Sequence, residues 1–278
     1  MVSIGQMNRL RVAKYVEFGL YLDAQELGEI LLPKRYIPSH GSEIGDWLEV
    51  FIYLDSEDDL IATTETPYAT VGECVHLSVS EVNPVGAFMD WGLPKELLVP
   101  FQEQRVPMEA GKAYTVFIYL DNSNRIAASS KLNRFLAEES DDYKPGQPVN
   151  LLACSRSDLG YTAIINGTHL GLIHNSDLLQ PIVVGRKYKG FIKDVREDKK
   201  INLTLQQHDQ KSRDDLSEKI INHLISEGGS STVTDKSRPE IIFHQFKVSK
   251  GNYKKALGKL YKDKRIKIEK DLITLIDN

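Results

Sequence analysis

Basic side chains gather in two stretches of this 278-residue chain. Arg186, Lys187, Lys189, Lys193, Arg196, Lys199 and Lys200 give seven cations against three acids in fifteen residues. From Lys247 to Lys267 there are nine cations and one acid. Cations at this density attract a polyanion, and the attraction is local because the chain as a whole carries a net charge of −4. Residues 1–65 hold 5 Lys/Arg against 12 Asp/Glu, whereas residues 211–278 hold 15 against 10. Acid lies at the front and base at the back.

Catalysis would need a constellation that the sequence lacks. There is no P-loop, dinucleotide fingerprint, His-Glu-x-x-His or Gly-x-Ser-x-Gly. The seven histidines (His40, His76, His169, His174, His208, His223 and His244) are scattered, and His169 and His174 could share a metal only across a turn. A nuclease would set carboxylates beside the basic stretches, yet they concentrate in residues 1–65 and 137–142. The run Asp55-Ser56-Glu57-Asp58-Asp59 reads as a solvated turn rather than a cation site. Cys74 and Cys154 form no CxxC and read as small core residues. The expectation is a protein that is not an enzyme, with no cofactor and no metal.

With 41% hydrophobic and 27% charged residues, the composition is that of a soluble globular chain. No apolar run reaches the ~18–20 residues of a membrane span, and the N-terminus lacks a secretory layout, so a cytoplasmic protein with no membrane partner is expected.

The elements that must position these side chains repeat. Val50-Phe51-Ile52-Tyr53-Leu54-Asp55 returns as Val116-Phe117-Ile118-Tyr119-Leu120-Asp121, and Gly19-Leu20-Tyr21-Leu22-Asp23 is answered by Gly86-Ala87-Phe88-Met89-Asp90. A third, more diverged copy runs through Gly160-Tyr161-Thr162-Ala163-Ile164, Gly171-Leu172-Ile173-His174-Asn175-Ser176, Gly190-Phe191-Ile192 and Ile201-Asn202-Leu203-Thr204. Each copy supplies five short runs of strand length, rich in β-branched and aromatic residues and separated by turn signals. Five short strands are best buried by closing a small barrel, which leaves no sticky edge.

These strands resemble the S1-type RNA-binding domain, an OB-fold barrel. The likeness is strongest in the third copy, through Gly171-Leu172-Ile173-His174-Asn175-Ser176 and Lys199-Lys200-Ile201-Asn202-Leu203-Thr204. It is weaker in the second, where Val99-Pro100 replaces Ile-His, and weakest in the first, which has Pro33 at the histidine position. Three such barrels followed by a basic helical segment resemble the conserved virulence factor B family of bacterial RNA-binding regulators. The resemblance implies a mainly β chain of three tandem five-stranded barrels with a C-terminal α+β winged helix. It implies the domains 1–65 (acidic, divergent), 66–136, 137–210 (an acidic linker over 137–149, then a basic barrel) and 211–278.

The same resemblance places Tyr161 and Phe88 where the family stacks bases. Single strands are held by rings under the bases and cations along the phosphates. The expected RNA-binding residues are therefore Tyr161, His174, Phe191, Lys193, Arg196 and Lys199 in barrel 3, and Phe88 in barrel 2. Phe51, Phe117 and Phe191 read equally as core, because alternate side chains of a small barrel point inward. His174 alone would read as a satisfied strand-end histidine. Barrel 1, with its acidic turn, would repel phosphate and reads as structural or as a protein contact.

Beyond barrel 3 the period changes. Leu216, Ile220, Ile221, Leu224 and Ile225 recur at helical spacing between Ser212 and Gly228-Gly229. Ser237-Arg238-Pro239-Glu240 has the capping-box pattern ahead of a second helix. Tyr253, Ala256, Leu257, Leu260 and Tyr261 form an apolar stripe on a third. Two alternating runs, 265–269 and 272–276, complete a winged helix. Its basic strip, Lys250, Lys254, Lys255, Lys259, Lys262 and Arg265, is expected to lie along nucleic acid, by phosphate contact more than base readout. The sequence thus predicts a regulator of gene expression that binds single-stranded RNA through barrel 3 and the winged helix. It also admits contact with duplex nucleic acid through the winged helix and a protein partner for barrels 1 and 2. Two alternatives stand beside it: a DNA-binding transcription regulator, or an accessory protein of the ribosome or the RNA-degradation machinery.

Overall fold

The computed structural model describes residues 2–276 apart from 40, 56, 58, 179–180, 207–209 and 270, and for residues 210–215 the backbone alone. His40, Asp58, His208 and the side chain of Ser212 thus lie outside the described residues.

Each of the three repeats closes on itself. In the first, β1 (Met7–Val16), β2 (Gly19–Asp23), β3 (Glu29–Pro33), β4 (Trp47–Leu54) and β5 (Leu60–Thr63) form a closed barrel in the order β1-β2-β3-β5-β4. The same cyclic order joins β6 (Cys74–Asn83), β7 (Gly86–Met89), β8 (Leu97–Pro100), β9 (Ala113–Leu120) and β10 (Ile126–Ser129). It joins β11 (Pro148–Arg156), β12 (Gly160–Ile165), β13 (His169–His174), β14 (Lys187–Val195) and β15 (Ile201–Thr204) a third time. The fifth strand closes each barrel by lying parallel to the third, as in Ile173 opposite Leu203.

Two devices recur with the sequence. The first strand is bulged at the same place in every copy, between Val12 and Lys14, Val79 and Glu81, and Ala153 and Ser155, which bends it across the barrel. The second strand opens on Gly19, Gly86 or Gly160, where a Cβ would sit 2.2, 2.4 or 2.0 Å from the carbonyl oxygen of Leu32, Val99 or Ile173. Only hydrogen fits there, so glycine sets the phase of that strand. The residue after it points inward and is buried (Leu20, Ala87, Tyr161), and the next points outward and is half-buried (Tyr21, Phe88, Thr162).

The chain divides between Phe135 and Leu136 into two compact units. In the first, barrels 1 and 2 share a core. Val50 and Ile52 fill barrel 1, while Phe51 and Tyr53, on its outer face, are buried against barrel 2. Phe51 meets Trp91 edge-on at 5.6 Å. The equivalent Phe117 and Tyr119 are half-buried beneath Phe135, at 4.5 and 5.2 Å between ring centres.

The second unit holds barrel 3 and the C-terminal elements: α1 (Gln210–Ser226), β16 (Ser230–Ser231), α2 (Pro239–Phe246), α3 (Lys250–Lys262), β17 (Ile266–Ile268) and β18 (Ile273–Leu275). The strands form a small sheet in the order β16-β18-β17, so the winged helix gains one short strand beyond the expected hairpin. Its core joins Leu216, Ile220, Leu224, Phe246, Tyr253 and Leu257 among others. Full burial of each such side chain stabilises by about 1.5–3 kcal/mol.

Three local expectations need correction. α1 begins at Gln210, ahead of Ser212. The capping box at Ser237 does not form. Arg238 is the N-cap, Pro239 pre-sets the first turn, and the Ser237 hydroxyl accepts the Thr234 N–H at 2.9 Å instead. Tyr261 leaves the apolar stripe of α3 and is 57% exposed.

Among the described residues, no helix is long and apolar enough to cross a membrane and no group of His, Cys, Asp or Glu could hold a metal ion.

Candidate nucleic-acid interface

Barrel 3 presents His174 and Phe191 on its outside. Phe191 is half-buried on β14, opposite Thr204. His174 ends β13 with Nε2 3.0 Å from Asn202 Oδ1, and the Asn202 amide donates in turn to Asp194 Oδ1 at 2.7 Å. Because the carboxylate takes the donor end of the amide, the amide oxygen faces the ring. Neutral His174 therefore keeps its proton on Nε2, leaving Nδ1 as an acceptor.

Tyr161 is placed differently from expectation. It is 3% exposed and packs inside barrel 3 with Leu151, Ala163, Ile173 and Ile192. The reason is phase: Tyr161 follows its glycine by one residue, whereas Phe88 follows Gly86 by two. In a strand one residue is a change of face. The outward position in barrel 3 belongs to Thr162, so this strand carries no ring where barrel 2 carries Phe88.

Lys193 also departs from the simple picture. Its ammonium pairs with Asp177, and the two side chains are 18% and 4% exposed. An isolated buried carboxylate would be costly, so Lys193 acts as its counter-ion rather than as a free phosphate contact. Arg196, Lys199 and Lys200 stay at the surface in the β14–β15 turn. Arg196 pairs with Asp198 at 3.0 Å, Lys199 with Asp141 at 2.5 Å and Lys200 with Glu138 at 3.9 Å. Exposed pairs of this kind are weak.

The acids that meet these lysines come from the segment expected to be a linker. It lies against barrel 3 instead. Ala137 N–H donates to Thr168 O at 3.1 Å, Leu170 N–H to Ala137 O at 2.8 Å, and Ser140 N–H to Lys199 O at 3.1 Å. Tyr143 meets His169 edge-on at 5.2 Å. Residues 137–143 therefore form a strap across barrel 3, and its carboxylates sit on the basic turn.

The second basic stretch follows Ser249, whose hydroxyl caps α3 by accepting Asn252 N–H at 3.3 Å. Lys254, Lys255, Lys259 and Lys262 project from α3 and are exposed. Lys250 Nζ donates to Ser237 O at 3.0 Å, and Arg265 pairs with Glu218 at 2.8 Å. The start of α3 touches barrel 3. A Cβ on Gly251 would lie 2.9 Å from Asp177 Oδ1 and 3.0 Å from Ser176 O, and Asn252 Nδ2 donates to Gln206 Oε1 at 2.8 Å. The turn Asn175–Asp177 that receives α3 directly follows His174. Phe88, the remaining predicted residue, is half-buried on the outside of β7 in the first unit.

Sequence reasoning missed Asp177, Asn202 and the strap. Asp177 could have been flagged as an acid beside the Ile-His-Asn-Ser signature, and the strap as acid facing a basic turn.

Comparison with known proteins agrees with this architecture. An S1 domain model matches residues 4–65 and 71–131, the two barrels expected to be the more divergent, and a CvfB-like winged helix domain model matches residues 218–275. "Conserved virulence factor B" of Staphylococcus epidermidis is 28% identical over 241 residues, spanning 84% of this chain and 81% of the relative. "Uncharacterized protein YitL" of Bacillus subtilis is 27% identical over 275 residues, 94% of this chain and 90% of the relative. A crystal structure of a multidomain protein with nucleic acid binding domains from Streptococcus pneumoniae is similar over 98% of both chains, at 25% identity and a TM-score of 0.41.

Proposed function

The chain belongs to the conserved virulence factor B family of nucleic-acid-binding proteins, and from that premise we propose that it is a non-enzymatic RNA-binding regulator of gene expression. Barrel 3 and the winged helix take a single strand together. The observation that carries this reading is the docking of α3 onto Asn175–Asp177, which sets the exposed lysines of the helix on an element adjoining His174. Phosphates follow Lys254, Lys255, Lys259 and Lys262 and continue toward Arg196 and Lys199. His174 and Phe191 meet the bases. Exposed lysines on α3 favour the backbone over base edges, so sequence preference is weak on this side.

The test is fluorescence anisotropy with labelled single-stranded RNA, single-stranded DNA and duplex DNA on the full chain at several salt concentrations. The Lys254→Ala/Lys255→Ala/Lys262→Ala variant should bind RNA more weakly. Its salt slope should fall by roughly 0.7 for each phosphate that the variant no longer neutralises. An unchanged slope would remove the winged helix from the binding surface and overturn this reading, and preference for duplex DNA at matched salt would replace it by the transcription-regulator one.

A further inference from the structure

The outer face of barrel 1 where β1 pairs with β4 carries side chains that the barrel itself does not need. Trp47 opens β4 and is 55% exposed, in contrast to Phe51 and Tyr53 further along the same strand. Across the pair, Arg11 stands opposite Trp47 and Arg9 opposite Glu49, all four on the exposed face. The Arg9 guanidinium lies over the indole, 5.7 Å from the ring centre, and Arg11 Nε donates to Gly45 O at 3.2 Å. Ile44, 63% exposed, sits in the loop that leads into the strand. That loop is tied to β1, with Gly45 N–H donating to Val12 O at 2.9 Å and Val12 N–H to Asp46 O at 2.8 Å. The backbone under this face is fixed while its side chains meet water.

The other two barrels act as internal controls. Aligned on Phe51, Phe117 and Phe191, the positions of Trp47, Arg11 and Arg9 are held by Ala113, Ser78 and His76 in barrel 2 and by Lys187, Leu152 and Asn150 in barrel 3. A barrel of this topology therefore closes without the ring or the guanidiniums. An exposed tryptophan flanked by arginines and an isoleucine is instead the composition of a protein-binding hot spot.

The chemistry selects the partner. A ring holds a guanidinium in place without neutralising it. Among the described residues neither Arg9 nor Arg11 is paired with a carboxylate, so each keeps N–H donors for bidentate recognition of one. The two arginines are two apart on a strand, roughly 7 Å, which is the spacing of alternate residues in another extended chain. Glu43, Asp46 and Glu49 lie in the same stretch and are exposed. A nucleic acid strand, charged at every residue, would meet these three acids as well as the two arginines, whereas a peptide can leave its facing positions neutral or basic. We propose that the β1–β4 face of barrel 1 docks an extended acidic segment of another protein, with carboxylates at alternate residues on Arg9 and Arg11 and an apolar side chain on Trp47 and Ile44. This surface is independent of the RNA-binding role proposed for barrel 3 and the winged helix.

The probe is a display library of random twelve-residue peptides panned on the full chain, with the Trp47→Ala chain as counter-selection. Enrichment of acid-x-acid sequences beside an apolar residue is the expected result. The best such peptide, labelled for fluorescence anisotropy, should bind Trp47→Ala, Arg9→Gln and Arg11→Gln roughly ten- to thirtyfold more weakly, the scale of losing one hot-spot side chain. Arg9→Lys should lose most of that affinity too, because an ammonium keeps the charge but not the fork. Thermal unfolding of each variant confirms that it is folded, and Lys254→Ala/Lys255→Ala/Lys262→Ala should leave peptide binding as it was. No enrichment, enrichment of sequences without acids, or peptide affinity unaltered in the folded variants overturns the proposal. Displacement of the peptide by a six-nucleotide RNA would assign the face to nucleic acid, and concentration-dependent dimerisation abolished by Trp47→Ala in sedimentation would assign it to a second copy of the chain; either result also overturns it.

Discussion

Replacing Tyr161 by alanine separates an inward ring from a base-stacking one. The side chain is 3% exposed within the barrel 3 core. Its removal loses transfer free energy and leaves a cavity, together roughly 3–5 kcal/mol for a large aromatic residue. Loss of one stacked base would affect only binding, by ~1–3 kcal/mol. The larger figure is a sizeable share of the ~5–15 kcal/mol that holds a domain together. Hydrogen exchange read peptide by peptide is the appropriate assay, because a chain of several domains does not unfold in one two-state step. Tyr161→Ala should lose protection across β11 to β15 and lose RNA affinity only as a consequence. Tyr161→Phe, which keeps the ring, should match the parent in both. Thr162→Phe puts a ring at the outward position that Phe88 holds in barrel 2, and should tighten RNA binding without lowering protection. If Tyr161→Ala keeps full protection yet loses RNA affinity, the ring contacts RNA and the phase argument fails.

Three further outcomes concern the second unit and one turn of the first. Neutralising the strap with Glu138→Gln/Asp141→Asn should raise RNA affinity two- to fivefold at low salt, roughly the scale of exposed pairs, with the gain vanishing at high salt; anisotropy showing no gain would mean the strap does not compete with phosphate. Gly251→Val should push α3 off Ser176 and Asp177, seen as faster hydrogen exchange at 175–177 and 250–253 and weaker RNA binding. Burial opposes ionisation of Asp121, but hydrogen bonds from Ser123 and the Arg125 N–H outweigh it and hold the carboxyl below the usual aspartate range. A depressed folded pKa means that this stabilisation is present at neutral pH and is lost as pH falls through that lowered value. The stability difference between the parent and Asp121→Asn should thus be constant near pH 7 and shrink below about pH 4, measured as hydrogen-exchange protection of β9 and β10 across pH after correction for the intrinsic exchange rate.

The fold was legible because the repeats share what the backbone demands. A glycine opens each second strand, and a Phe-Ile pair recurs on each fourth. Local periodicity also revealed three helices, since a buried helical stripe is a property of the segment itself. The site was less legible, because outward residues are decided by what packs on them. Phe51 and Tyr53 match Phe117 and Tyr119 letter for letter, yet the first pair is buried under barrel 2 and the second half-covered by Phe135. Lys193 looked like one more surface cation until Asp177 claimed it. Tyr161 was misplaced by aligning ring with ring instead of glycine with glycine. Composition described the 137–142 acids as a spacer, because their partners lie about sixty residues away in the chain.

The shared core of barrels 1 and 2 has a consequence during synthesis. Barrel 1 is complete once Thr63 has left the ribosome, but Trp91 and the rest of the surface that covers Phe51 and Tyr53 end only with β10 at Ser129. At roughly 5–20 residues per second that interval lasts roughly 3–13 s, during which two rings of a finished barrel face water. Nascent chains on one polysome carry the same uncovered pair side by side. Pausing between Thr63 and Ser129 should therefore favour coaggregation of neighbours, and fast codons there would shorten the exposure.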